Sequence, residues 1–204
     1  MSYGTNAPQG FQAVSTLGAY TTNFRTFTYE IDPASATAIF NGDAVAINAG
    51  TGYLNVGVAG APLIGVFAGV SYTLPNAAGP NGNFNPIRMW PGSVTVQAGT
   101  TINAFVIVDP ATIYNVQAAP AVVGGYVRSN IGSKCNFVAG AGNTSTQNST
   151  QTLGAVATTA TNNFTLLALA DGSSGGVQNA WGINYNNVLV TLNSSLFSPN
   201  VAGI

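Results

Sequence analysis

Glu30 and Asp32 stand two residues apart on a segment that reads as a strand, so both carboxylates point to one face. A carboxylate pair can run glycoside hydrolysis. The plainer reading is that Asp32-Pro33 ends a strand. Asp43 follows Asn41-Gly42, and Asp171 precedes Gly172. Each could join backbone carbonyls in a calcium site, but the acid spacing of an EF-hand is missing and turn chemistry explains both. Asp109-Pro110 reads as a strand stop. Cys135 sits beside Lys134, which could lower its pKa. Next to Phe137 in an apolar segment, it reads first as a small buried hydrophobe. Gly50-Thr51-Gly52 and Gly140-Ala141-Gly142 lack the third glycine and the helix of a dinucleotide fingerprint. Four sequons, at Asn143, Asn148, Asn163 and Asn193, arise readily in a chain this rich in Asn, Ser and Thr.

Those few groups are nearly all the charge there is. The 204 residues include four Lys and Arg and five Asp and Glu, a charged share of 4%. An ordinary soluble domain carries roughly 25%. Histidine is absent, which removes Ser-His-Asp and Cys-His catalysis and imidazole metal ligation. One cysteine permits no intrachain disulfide and no thiolate cluster. Four cations cannot neutralise a run of phosphates, so nucleic-acid binding is not expected. No metal or cofactor is expected either, and the chain is not expected to be an enzyme. The hydrophobic share, 46%, is a globular value. The longest apolar stretch, 61–70, is interrupted by Pro62, Gly65 and Gly69 and is too short to span a bilayer as a helix. The opening MSYGTN lacks the basic and apolar regions of a secretory signal. A net charge of −1 gives little self-repulsion and favours association.

The elements that must position these residues read as strands. Helix formers with charged ends are scarce, while Gly, Asn and Thr abound. Residues 24–31 alternate, with Phe27, Tyr29 and Ile31 on one face. Strands are expected at 44–47, 53–58, 94–97, 102–108, 113–116, 164–169 and 188–192, with one over 122–128 broken at Gly124-Gly125. The run 63–72 is apolar throughout, as a strand buried on both faces would be, with bulges or close backbone contacts at Gly65 and Gly69. Residues 75–86 and 140–151 read as loops, the latter exposed and mobile. The spacing predicts an all-β fold: a compact β-barrel or β-tulip/sandwich-like body. An extended N-terminal arm is expected over 1–20, the barrel-like domain over 21–120, and a second β-rich region with an irregular tail over 121–204.

Two groups of segments resemble the small β-rich decoration, or cement, proteins of tailed-phage heads. The first is NGDAVAIN (41–48), LIGVFAGV (63–70), Trp90-Pro91-Gly92 and Val108-Asp109-Pro110. The second is NAWG (179–182), VLVTLN (188–193) and the closing VAGI (201–204). MSYGTNAPQG (1–10) fits the extended arm of such proteins. The resemblance implies a virion component made in the host cytoplasm. It would bind the outer surface of the major capsid protein lattice as a homo-oligomer, with a trimer favoured and a dimer open. Such a protein needs a stiff body and arms laid across neighbours. Tyr3, Phe11, Leu17 and Ile204 are the candidate capsid or subunit contacts. The alternative is a fibre-like or adhesin-like glycan-binding module using Trp90, Trp181 and the Asn-rich loops. A glycosidase built on Glu30 and Asp32 comes third.

Overall fold

The structure is a computed structural model describing residues 5–18, 24–75, 83–159, 161–171, 173–174 and 177–193, with the backbone alone for 83–85, 173–174 and 177–178. The chain runs through β1 (Gln12–Thr16), β2 (Thr26–Ile31), β3 (Ile39–Phe40), β4 (Ala44–Ile47) and β5 (Leu54–Val56). It continues with β6 (Gly65–Leu74), β7 (Asn83–Ile87), β8 (Met89–Trp90), β9 (Ile102–Ile107) and β10 (Thr112–Gln117). After one 3-10 turn (Arg128–Asn130) come β11 (Lys134–Val138), β12 (Thr152–Ala157), β13 (Phe164–Leu169), β14 (Ser173–Ser174), β15 (Val177–Gln178) and β16 (Asn187–Leu192). No described helix is long and apolar enough to cross a membrane.

The fold is all-β and sandwich-like. One sheet has the order β1-β10-β16-β13-β11-β12. The other has the order β2-β9-β6-β4-β5, with β7 added beside β6. All named strand pairings are antiparallel. No ladder returns from β5 to β2, so the barrel alternative is corrected to an open sheet.

Two apolar clusters hold the sheets. In the first, Phe11, Tyr114, Phe137, Phe164 and Val190 from one sheet meet Ala44, Leu63, Val66 and Ile107 from the other. The second cluster fills the opposite face of the second sheet with Ile31, Phe67, Val70, Tyr72, Ala104 and Val106, closed by Trp90. The strand β6 therefore sends Val66 to one cluster and Phe67 to the other, which explains its unbroken apolar run. Its register against β9 shifts between Phe67 and Gly69, where the sequence predicts a bulge. A Cβ at Gly65 would collide with the Ile107 carbonyl, so glycine is what lets β6 and β9 approach.

The structure departs from the sequence expectations in several places. Residues 12–16, expected within an extended arm, form the edge strand β1 against β10. The N-terminal segment and β10 thus belong to the sheet built mainly from residues beyond 130. The chain passes from the first sheet to the second between β1 and β2, and returns between β9 and β10, at Asp109-Pro110. Residues 94–97 form no ladder strand; Val94 and Val96 pack on the second cluster instead. Tyr126 is a buried core residue that belongs to no strand. The expected loop 140–151 is anchored: Ser149 and Gln151 are buried and Asn148 bridges to Asn41.

Candidate assembly surface

The five acids serve local geometry or stand apart. The Asp32 carboxylate accepts from Ala34 N (2.8 Å) in the turn that ends β2, while Glu30 is exposed on that strand. Asp109 does the same for Ala111 N (2.9 Å). Asp43 is 3% exposed, and its Oδ2 accepts from Phe40 N (2.7 Å). Desolvation raises the Asp43 pKa, with hydrogen bonds from Ser149 and Phe40 pulling the other way. Asp171 lies exposed at a bend after β13. Among the described residues no three His, Cys, Asp or Glu side chains gather into a group that could hold a metal. Cys135 is buried beside Tyr126, and burial pushes its thiol up to about 11. The buried placement agrees with its reading as a small apolar core residue.

The candidate contacts separate. Tyr3 and Ile204 lie outside the described residues. Phe11 is buried, stacked on Phe164 at 4.1 Å and edge-on to Tyr114 at 6.4 Å. A side chain held in the protein's own core cannot also grip a partner, so Phe11 anchors the N-terminal segment to its own body. Leu17 is 49% exposed, just past β1, with its N–H donated to Ala111 O (2.8 Å). Val14 is exposed on the same strand. The edge strand and the residue that follows it thus display two apolar side chains. A second exposed group, Val123, Val127 and Ile131, flanks the 3-10 turn. Asn184 and Asn186 tie that segment down by accepting from Gly124 N and Tyr126 N.

The aromatic residues of the glycan reading are not available together. Trp90 is 0% exposed and packs edge-on against Tyr72 at 5.3 Å. Trp181 is half-buried against the first cluster.

A set of amide fasteners escaped the sequence reading. Asn163 accepts from Gly60 N (2.8 Å) and donates to Ala61 O (2.7 Å), fixing the loop after β5 to the other sheet. Gln151 accepts from Ala44 N (2.9 Å). Gln117 accepts from Ala7 N (3.1 Å) and donates to Thr5 O (2.9 Å), which pins the N-terminal segment. Lys134 donates to Asn193 Oδ1 (2.8 Å), so this cation is also held by an amide. The only sequence signal was the abundance of Asn itself. The same amides occupy two of the sequons, Asn163 and Asn193, in structural bonds.

No protein family, curated protein or solved structure matches this chain.

Proposed function

We propose that this chain is a structural virion protein that coats the outer surface of a major capsid protein lattice and stabilises the particle as a homo-oligomer. The observation that carries the reading is the rigid β1 edge, which presents Val14 and Leu17 from a segment fastened by Phe11 and Gln117. A fixed edge offers apolar anchors with little ordering cost on docking. The near absence of charge supports the same reading, because neutral copies crowd without repulsion. Weak contacts repeated over a lattice then gain avidity.

Removing residues 1–20 would also remove Phe11 from the core, so point changes are the better test. Leu17→Asp and Val14→Asp alter exposed side chains only. Particles that carry this chain at a copy number comparable with the major capsid protein, and lose it when these variants replace the wild type, support the reading. Purified particles in which mass spectrometry finds no such copy number refute it.

A further inference from the structure

The two main sheets expose five edge strands, β1 and β12 in the first and β2, β5 and β7 in the second, and four of them are blunted, β7 by Pro86. Exposed edges invite foreign strands, and proteins prevent this with short strands, bulges or cover. The strand β5 is three residues long. The strand β1 has a bulge between Ala13 and Ser15. The ladder of β12 is irregular, and its outer side is met at Leu153, whose carbonyl accepts from Ala119 N (2.8 Å). Among the described residues the strand β2 is neither short nor bulged. Its six residues pair with β9 in unbroken register from Thr26 to Ile31. The strand β5 approaches it through the apolar cluster that both share, with no ladder between them.

The phase of the ladder shows which backbone groups point outward. Val108 N donates to Arg25 O (3.1 Å), and Arg25 lies opposite Val108 in this register. Hydrogen-bonded pairs alternate along an antiparallel ladder. Phe27, Tyr29 and Ile31 therefore bond to β9. Thr26, Thr28 and Glu30 direct their N–H and C=O groups away from the sheet. These three residues are exposed, and Ile31 is buried.

We infer that β2 pairs antiparallel with β2 of a second copy, with Thr28 opposite Thr28 across a two-fold axis. In that register Thr26 faces the second copy's Glu30, and the reverse. All three outward residues of each copy then form hydrogen-bonded pairs, which a shift by one residue along each strand would not achieve. Phe27, 47% exposed, faces the second copy's Tyr29 at a position where side chains come closest. The two Glu30 carboxylates sit at opposite ends of the ribbon, each beside a threonine hydroxyl. A foreign strand would need to supply all of this complementarity, whereas this strand supplies it to itself. The pairing is two-fold, where the phage-protein resemblance favours a trimer.

The test uses the purified full chain without any capsid, so it is independent of the virion reading. The wild type is expected to sediment as a dimer at high micromolar concentration. Under mild oxidation Thr28→Cys should link into a covalent dimer, because opposed residues of a hydrogen-bonded pair lie about 5.5 Å apart, within disulfide reach. Thr26→Cys should not link, since its opposite neighbour is Glu30. Cys135 is buried and does not compete. Thr28→Pro should yield a folded monomer, because the lost N–H faces away from β9 and proline is tolerated there. A monomeric or trimeric wild type overturns the inference. So does equal linking by Thr26→Cys and Thr28→Cys.

Discussion

Asp43 is buried where the β3–β4 turn meets the 147–151 segment, and desolvation there outweighs the hydrogen bonds it receives from Ser149 and Phe40. Burial raises its pKa, so the native state holds this proton more tightly than the unfolded chain does. The stability from protonation is then fully present below the ordinary carboxylate value of about 3.9, and is lost as pH rises through the raised value. Asp43→Asn keeps an acceptor for Phe40 N without a charge. We expect it to be more stable than the wild type at pH 7, by about 1–3 kcal/mol. That gain should vanish in acid, and thermal melts of both proteins across the pH range check it. Phe11 makes the opposite case. Its ring fills the space beside Phe164, and Phe11→Ala should cost about 3–5 kcal/mol in chemical denaturation. A value near zero would mean that the N-terminal segment is not docked in solution.

Among the described residues loops are held to strands by side-chain amides, and this sets what each fastener should do. Asn163→Ala would leave Gly60 N and Ala61 O without their partner. We expect a loss of about 2–3 kcal/mol and faster amide exchange at Gly60 and its neighbours, with the centre of β6 unaffected. How much was legible in the sequence follows from the same local physics. The strands β4, β6, β9, β13 and β16 announce themselves by apolar runs or alternation between turn residues. The strand β1 does not, because the bulge at Ala13 and Ser15 breaks its alternation. Val94 and Val96 alternate properly yet only cap a cluster, since side-chain period records burial on one face and not a hydrogen-bonded neighbour. Of the candidate site, Leu17 was legible as an exposed apolar residue. The core placement of Phe11 depends on Phe164, more than 150 positions away, and no local pattern reports that. The edge phase of β2 was likewise invisible, because it depends on which residue of β9 lies opposite.

At the scale of the whole molecule, the nine charges change from an oddity into a design constraint with a measurable consequence. A body held by ion pairs weakens as salt shortens the Debye length from about 30 Å at 0.01 M to about 3 Å at 1 M. Here the long-range ties run through Asn163, Gln151, Gln117 and Asn186, whose amide hydrogen bonds carry no net charge to screen. Lys134 is tied to an amide oxygen, and the Asp32 and Asp109 carboxylates are tied to backbone N–H groups within two residues. Screening therefore removes little that distinguishes the folded state from the unfolded one. Added sodium chloride should leave the unfolding midpoint nearly unchanged over that hundredfold range, apart from a small rise as the salt strengthens apolar burial. On the proposed virion reading the same logic applies to docking on a neutral edge, so particles washed in moderate salt should retain the chain. A midpoint that falls steeply with salt would show that the few ion contacts, and not the amides, hold the two sheets together.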